Sequence, residues 1–512
     1  MLFEILLFVF SLFSLAFVYR WGKKDHDFFV KRNIPYEKPA FIFGGSLDII
    51  LRRKTVVQAL LEMHMKYKGM AYGAFDNRRP VLMLRDPQLI KQIMIKDFDH
   101  FVNRSDMFEG DENLFSSSLI TMKDDTWREM RNTLSPAFTG RKMRQMFELM
   151  LEKQNEAMIY LKDKQGKGED GFALEVKDFT TRLTHGIIAS TAFGLQVNSF
   201  RDEDNEFYRR AKKAVNFDSL GQLKAFFTII FPKLAKLLKI ELFDKDFSDY
   251  FMRLVLDTMK YRAENNIRRA DMIDLLMEAK GMIPNENSIK AQHREWSDLQ
   301  VVAQCFLFFF AALEPLSGVM SFALHELMEY PDVQEKLYEE VQENNDQLEG
   351  KQVTYDVLHK MPYMDMVVSE VLRKWPVALV ADRTCTKDYV YESPVTKERL
   401  EIRKGDIVRA SMVGLHHDPN NFPDPDTLNP ERFSEENKSL IENGAYFPFG
   451  LGPRNCIGNR FALLAIKAFL YNIIRDYRLE VSDKTCLPLE LDKKTFQLRP
   501  VGGFWIQFKP RH

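Results

Sequence analysis

The stretch FGLGPRNCIG, residues Phe449 to Gly458, decides the fold of this chain. It matches the pattern F-x-x-G-x-R-x-C-x-G at every fixed position, and those positions are Phe449, Gly452, Arg454, Cys456 and Gly458. With 4 cysteines and 24 glycines among 512 residues, a match by chance has a probability of roughly less than one in a thousand. The stretch therefore indicates a functional site.

Cys456 is the residue of this stretch with the clearest chemistry. The run FALLAIKAFLYNII that follows predicts a helix, so Cys456 stands just before a helix N-terminus, whose dipole and free N–H groups favour a thiolate. Gly450 and Gly452 predict a tight turn that brings the backbone close to a flat ligand. A zinc site is a poor alternative because His416 and His417 lie about forty residues upstream, outside ligand spacing. A single thiolate ligand fits a haem iron.

Apolar periodicity of helical length dominates the sequence after about Val57. The clearest helical segments are Asn205 to Val215, Phe247 to Asn265 and Leu299 to Met328. Short apolar or alternating segments predict strands at Val81 to Leu84, Tyr389 to Tyr391 and Phe504 to Phe508. Polar stretches predict surface loops at Gly281 to Asp298 and Glu343 to Gly350. The body is therefore expected to be mainly α with small β-sheets.

The composition limits the classes of partner and compartment. A chain of 512 residues that is 45% hydrophobic can bury a large core. Its 72 Lys and Arg against 73 Asp and Glu give no global basic field, so nucleic acid is not an expected partner. Four cysteines are too few for a disulfide framework, which indicates a reducing compartment. Three of them are predicted to be small buried hydrophobes, namely Cys305, Cys385 and Cys486.

The N-terminus predicts a membrane helix. Met1 to Tyr19 is apolar except for one glutamate and two serines, and Arg20, Lys23 and Lys24 follow. A cleaved signal peptide is the alternative, disfavoured because no basic region precedes the run and no cleavage site follows it. The positive charge on its C-terminal side places the body in the cytosol. Ala225 to Ile240 is either a core helix, the favoured interpretation, or a lid that dips into the bilayer.

With these features the chain resembles a cytochrome P450 over essentially its whole length, and within that superfamily the microsomal insect family-nine type. The resemblance implies the cytochrome P450 fold, mainly α with small β-sheets, preceded by an N-terminal membrane helix. It implies heme b, iron protoporphyrin IX, with Cys456 as the iron ligand. The expected organisation is a membrane anchor at residues 1–20, a linker containing proline and glycine at 21–45, and a haem-thiolate catalytic domain at 46–512.

The resemblance also assigns residues to the cofactor. Haem propionates need cations or other donors, and the candidates besides Phe449 and Gly458 of the cysteine loop are Arg104, Trp127, Arg131, Arg383 and Arg454. Trp127 and Arg131 stand at i and i+4, so both fall on one helix face. A buried structural ion network is expected from the SEVLRKW and NPERF motifs, with the members Glu370, Arg373 and Arg432. An ordinary surface ion pair is the alternative for that network.

A substrate pocket above the haem should be apolar with few polar groups. The candidates are the Phe-rich helix Gln304 to Pro315, the turn VALV after Pro376, the segment Ser117 to Leu119, and Phe496. Core packing is the alternative for all of them. The residues that we predict to bind substrate are Phe310, Ala311 and Leu379.

The same helix departs from the family pattern A-G-x-[D/E]-T. The sequence AALEP keeps the acid, Glu314, and has Pro315 in place of the alcohol. Proline cannot donate a hydrogen bond to the carbonyl of Ala311, four residues back, so that carbonyl can hold water. Glu314 is therefore the predicted catalytic residue, passing protons through water where the family uses a hydroxyl. A tolerated kink without a chemical role is the alternative.

The resemblance implies a haem-thiolate monooxygenase that inserts one oxygen atom of O2 into lipophilic small molecules, with xenobiotics as candidates. NADPH-cytochrome P450 reductase would supply the electrons at the endoplasmic reticulum membrane, with the catalytic domain in the cytosol. A basic docking surface for an acidic reductase is predicted from Arg128, Lys142, Arg144 and Lys467. The alternatives are a reductase-independent isomerase or dehydratase that rearranges a peroxide, encouraged by the missing alcohol, and a non-catalytic haem or lipophile binder.

Overall fold

The computed structural model describes residues 1–105, 113–166, 171–202, 205–215, 219–238, 240, 245–269, 271–283, 295–437, 441, 444–495 and 497–511. Its internal contacts divide the chain into two compact units, each discontinuous in sequence. Unit 1 comprises Met1–Ser105, Leu379–Pro423 and Glu442–Arg454. Unit 2 comprises Asp106–Ala378, Asp424–Ile441 and Asn455–His512.

Helices supply most of the regular structure. They are α1 (Leu2–Gly22), α2 (Leu47–Ile50), α3 (Val56–Lys66), α4 (Pro87–Lys91), α5 (Asp124–Leu134), α6 (Gly140–Gln165), α7 (Val176–Phe193), α8 (Glu206–Val215), α9 (Ser219–Ile230), α10 (Pro232–Leu237), α11 (Lys245–Glu264), α12 (Met272–Ala279), α13 (Asp298–Glu329), α14 (Pro331–Gln347), α15 (Tyr355–Leu358), α16 (Pro362–Lys374), α17 (Met412–His416) and α18 (Asn459–Asp476). The strands are β1 (Ala71–Asp76), β2 (Arg79–Leu84), β3 (Phe172–Glu175), β4 (Val380–Thr384), β5 (Tyr389–Glu392), β6 (Arg399–Ile402), β7 (Ile407–Ser411), β8 (Tyr477–Glu480) and β9 (Trp505–Pro510). The predicted fold class, mainly α with small sheets, is confirmed.

Unit 1 is built around a sheet of order β1-β2-β7-β4. Strand β2 runs parallel to β7 with Val81 opposite Ile407, while β1 and β4 are antiparallel to their neighbours. The stretch expected to be a linker is packed onto this sheet, because Tyr36 bridges Gly73 and Phe29 is buried. Residues of the 21–45 stretch therefore contribute to the core of unit 1.

Unit 2 is organised by α13, which packs against α7, α11, α16 and α18. A capping box between Ser297 and Gln300 starts this helix. The helix is continuous through Pro315, and most of its residues are buried. The helices predicted over 205–215, 247–265 and 299–328 correspond to α8, α11 and α13, and the predicted strands correspond to β2, β5 and β9.

Two sequence predictions are wrong. The polar stretch Glu343 to Gly350 was expected to be a loop, yet α14 extends through Gln347. Helix α14 is amphipathic. It buries Val333, Leu337 and Val341 on one side, and the polar residues of the stretch continue its solvent-facing side. Cys486 is exposed, in contrast to Cys305 and Cys385, which are buried as expected. The loop predicted over Gly281 to Asp298 falls partly outside the described residues.

Two of the described helices are long and apolar enough to cross a membrane. In α13 two thirds of the most apolar window is buried, which is typical of a core helix. In α1 none of that window is buried. The predicted anchor therefore coincides with a helix whose most apolar window contains no buried residue, as expected if lipid covers it.

Candidate active site

The first half of the cysteine loop belongs to unit 1. It contains the half-buried Phe449 and a 3₁₀ turn at Gly452–Arg454. Gly450 and Gly452 have φ values of 77° and 69°, so the predicted tight turn is present. A Cβ on Gly452 would lie 1.9 Å from the carbonyl oxygen of Met94. The glycine is therefore required by the close approach of two backbone segments within the protein.

The second half of the loop belongs to unit 2 and carries Cys456. This cysteine is exposed, forms no disulfide, and stands two residues before Gly458, the N-cap of α18. The predicted helix N-terminus therefore lies where its dipole favours the thiolate. Arg131 of α5 donates hydrogen bonds to the backbone oxygen of Asn455 at 2.8 Å and to its Oδ1 at 2.9 Å. This bidentate contact fixes the residue that precedes the cysteine.

Arg383 is the most constrained cation of the loop region in unit 1. Its side chain is 2% exposed, and its two Nη atoms donate to the carbonyls of Asp382 at 2.7 Å and Leu451 at 3.3 Å. Its buried Nε has no hydrogen-bond partner among the described residues. Burial, and then the charge of Arg104, lower the pKa of Arg383 to about 9. Such a site favours an added negative charge.

Two further arginines of unit 1 either belong to this loop or donate to it. Arg454 donates from Nε to the carbonyl of Val102 at 2.9 Å, and Arg104 donates to the carbonyl of Arg454 at 3.2 Å. The guanidinium groups of Arg383 and Arg104 therefore both donate to carbonyls of the cysteine loop, and Arg454 ties the loop to Val102. The exposed thiol of Cys456 fits the role of an iron ligand. The unsatisfied Nε of Arg383 fits an anion site for a haem propionate.

The three residues of the predicted ion network are in contact with one another in unit 2 through the carboxylate of Glu370. Arg373 binds Glu370 through Nε to Oε2 at 2.7 Å and through Nη2 to Oε1 at 2.9 Å. Arg432 reaches the same carboxylate from Nε at 3.2 Å. The backbone N–H of Asn429 also donates to Glu370, at 3.0 Å. Because the side chains of Glu370 and Arg373 are fully buried, this is a core network and not a surface pair.

Helix α13 exposes a short apolar surface in an otherwise buried run. Ala311 is exposed, and Phe310 is half-buried and stacked on Phe306 with ring centroids 5.8 Å apart. Phe308 packs against Phe138 at 5.5 Å, and Phe138 in turn lies beside Gly458 at the start of α18. The side of α13 that carries Phe308, and with it Ala311 three residues later, therefore borders the start of α18.

The other pocket candidates have different positions. Leu379 belongs to unit 1, where it packs against the apolar cluster that includes Val413. Its carbonyl accepts a hydrogen bond from the N–H of Met412 at 2.9 Å. Trp127 is 3% exposed on α5, one turn before Arg131. Phe496 lies outside the described residues.

Glu314 is held in an ion network that the sequence did not suggest. Its Oε2 lies 3.1 Å from Nζ of Lys177 and 3.7 Å from Nη2 of Arg499. Lys177 also donates to Oγ of Ser317 at 2.6 Å, and burial lowers the pKa of this lysine. A cavity of about 410 Å³ is lined by all three charged residues. Lys177 and Arg499 stand far from Glu314 in the sequence and belong to no motif, so sequence reasoning missed them.

One of the four residues of the predicted basic docking surface, Lys467, is buried. Lys467 is 5% exposed, donates to the carbonyl of Leu358 at 3.2 Å and forms an ion pair with Asp365, so it cannot be part of a basic surface patch. The periodicity of α18 leaves this position on the side that packs in the core. Arg128 is half-buried and lies 3.8 Å from Asp125, and Arg144 is exposed and lies 2.8 Å from Asp356.

Comparison with known proteins supplies the family. The model described as Cytochrome P450 matches residues 34–506. The chain is 49% identical to "Probable cytochrome P450 9f2" of Drosophila melanogaster, over 98% of this chain and 99% of that protein. It is 41% identical to "Cytochrome P450 9b2" of Drosophila melanogaster, over 96% and 97% of the two chains. It is 34% identical to "Cytochrome P450 3A11" of Mus musculus, over 97% and 95%.

Proposed function

This chain belongs to the cytochrome P450 family, and on that premise we propose that it oxygenates lipophilic small molecules, xenobiotics among them, with electrons from NADPH supplied through a cytochrome P450 reductase. Membership makes the chain a haem-thiolate monooxygenase, an oxidoreductase that uses O2. The relatives of family nine confirm the predicted resemblance to the insect type.

The cofactor of the family is heme b. When bound, it supplies the iron that activates O2, and thiolate donation assists cleavage of the O–O bond. We assign Cys456 to the iron, and to the rest of the group we assign Arg104, Trp127, Arg131, Arg383, Phe449, Arg454 and Gly458. The unsatisfied Nε of buried Arg383 is the observation that supports the propionate assignment.

The apolar surface of α13 supports a lipophilic substrate. Exposed Ala311 and half-buried Phe310 interrupt a helix whose remaining apolar side chains are largely buried. Apolar surface that stays uncovered on a core helix favours a ligand that removes it from water, at about 25 cal/mol per Å². We assign these two residues, with Leu379 of unit 1, to substrate binding.

We place the chain in the endoplasmic reticulum membrane with the catalytic body in the cytosol, as the basic residues after α1 favour.

The region of α9 and α10 supports a second contact with the bilayer. The segment predicted over Ala225 to Ile240 is interrupted before Pro232, where α10 begins. Three leucines that follow are exposed, namely Leu234, Leu237 and Leu238. Deletion of residues 1–24 is therefore expected to release only part of the protein from membranes, as measured by sedimentation with and without detergent. Complete release without detergent would exclude the second contact.

The proposed activity predicts turnover that depends on both NADPH and reductase. The experiment incubates the full chain with a panel of lipophiles and identifies products by mass spectrometry. Product that carries one oxygen atom from O2 only when NADPH and reductase are present is the expected result. Product from a lipid hydroperoxide without NADPH would instead establish the isomerase or dehydratase, and binding without NADPH consumption would establish a non-catalytic binder.

Glu314 is the proposed proton donor, supported by its place one residue before Pro315 and by its contact with Lys177. Lys177 and Glu314 both line a cavity that can admit water, so protons can reach the carboxylate from the solvent side. Glu314→Ala is expected to slow product formation by about 10²-fold or more, whereas Pro315→Thr should preserve turnover and change the peroxide released per NADPH. NADPH oxidation, peroxide and product are measured together. An unchanged product rate in Glu314→Ala would exclude the relay.

A further inference from the structure

Gln304 of α13 forms a bidentate contact with a distant backbone segment. Its Oε1 accepts from the N–H of Leu119 at 2.8 Å, and its Nε2 donates to the carbonyl of Ser117 at 3.1 Å. Nε2 lies 2.7 Å from the carbonyl of Gln300 as well. The side-chain amide is fully buried. It therefore pairs with the backbone at 117–119 as a strand would, in surroundings where a broken hydrogen bond is costly.

Residues 113–122, here called the cover segment, depend on such contacts for their position because they contain no helix or strand. Locally, Oδ1 of Asn113 accepts from the N–H groups of Phe115 and Ser116, each at 2.9 Å. These bonds fold the segment upon itself without fixing it to a neighbour. The contact with Gln304 joins it to α13, whose residues from Val301 to Leu307 are all buried.

The cover segment lies on the same side of α13 as the proposed substrate surface. Gln304 and Ala311 are seven residues apart, so they lie within about 20° of each other around the helix and about 10.5 Å apart along its axis. Ala311 is exposed, whereas the residues from Val301 to Leu307 are buried. The helix surface is therefore covered near Gln304 and open two turns later.

We propose that Gln304 is a positioning residue that holds the cover segment against α13 and so sets how readily, and how selectively, a lipophilic substrate reaches the surface at Ala311. This inference rests on the proposed function of that surface. Loss of the amide leaves the Leu119 N–H and the Ser117 carbonyl buried without these partners, which favours conformations in which the segment lifts from the helix.

Gln334 of α14 offers a matched control. It is a second buried glutamine, 1% exposed, whose Oε1 accepts from the N–H of Leu479 at 2.8 Å and whose Nε2 donates to the Leu479 carbonyl at 3.0 Å. The same bidentate geometry thus occurs on a helix remote in sequence from the substrate surface. Gln334→Leu should lower stability by a similar amount and leave ligand exchange unchanged.

The experiment compares the wild-type haem protein with Gln304→Leu and Gln334→Leu. Stopped-flow absorbance follows the entry and exit of lipophiles of graded size, and hydrogen–deuterium exchange follows the cover segment. Gln304→Leu alone is expected to raise amide exchange at 113–122 and to raise both rate constants by about tenfold, most for the larger ligands. Gln304→Glu keeps the acceptor oxygen but cannot donate a hydrogen bond once the carboxyl is ionised. Amide exchange of the cover segment in this variant should therefore rise as the pH rises.

Wild-type exchange of the cover segment in both Gln304 variants would overturn the proposal, as would equal changes in ligand rates in Gln334→Leu. If the wild-type protein binds no lipophile, the proposed substrate surface is wrong and the effect on substrate entry is overturned with it. In that case, faster amide exchange of the cover segment in the Gln304 variants alone would still show that the Gln304 side chain holds the segment.

Discussion

Cys456→Ser is expected to abolish the thiolate signature of the haem, measured as the long-wavelength Soret band of the reduced, CO-bound protein. A neutral hydroxyl is a much poorer electron donor than a thiolate. The N-terminus of α18 stabilises the negative charge of a thiolate but stabilises a neutral hydroxyl much less. Because the bidentate contact from Arg131 to Asn455 does not involve the sulfur, the loop itself should keep its conformation. Monooxygenase turnover should fall to background.

Cys486→Ser is the matched control, because Cys456 and Cys486 are both exposed and outside disulfides. The control variant should retain the wild-type spectrum and turnover. Retention of the long-wavelength band in Cys456→Ser would show that another group holds the iron. Loss of the band in Cys486→Ser alone would assign the ligand to the other exposed cysteine.

The parts of the site that could be predicted are those fixed by local chemistry. The cysteine loop is contiguous in sequence, and its glycines and the following helix have the conformations expected from their residue types. The Glu370 network could be anticipated because two of its members stand one helix turn apart in a single motif. The same holds for Trp127 and Arg131 on α5. Short sequence separation determines these geometries before any tertiary contact forms.

What the sequence could not predict depends on contacts between distant segments. The partners of Glu314, Lys177 and Arg499, and the pairing of Gln304 with Leu119, arise only when separate elements pack together. Lys467 was expected to be exposed because its charge is visible in the sequence, whereas the ion pair with Asp365 that permits its burial is not. The polar C-terminal part of α14 shows the same limit, because composition alone does not distinguish a solvated helix side from a loop.

Glu370→Ala is expected to reduce folding stability and haem incorporation, and not only turnover. It removes the carboxylate that accepts two hydrogen bonds from Arg373, whose guanidinium is fully buried and loses its counter-charge. The hydrogen bonds from Arg373 to the carbonyls of Pro425 at 2.7 Å and Thr427 at 3.5 Å do not replace that charge. Breaking a buried ion pair by deleting one partner costs about 3–5 kcal/mol, a large part of the roughly 5–15 kcal/mol that stabilises a typical domain.

The matched control is Glu335→Ala. Glu335 pairs with Arg511 through a similar fork, with Nη1 to Oε1 at 3.1 Å and Nη2 to Oε2 at 3.1 Å, but its side chain is 49% exposed. Arg511 is itself only 10% exposed, but it keeps its contacts with the carbonyl of Tyr477 at 3.4 Å and with Oε1 of Gln334 at 3.5 Å. Because Glu335 lies on the solvent side of the pair, the expected cost is smaller than for Glu370, about 1 kcal/mol. Thermal unfolding and haem content per mole of protein are measured for both variants. Equal losses in the two would show that burial does not govern the Glu370 network, and wild-type values in Glu370→Ala would remove Glu370 from the structural core of the site.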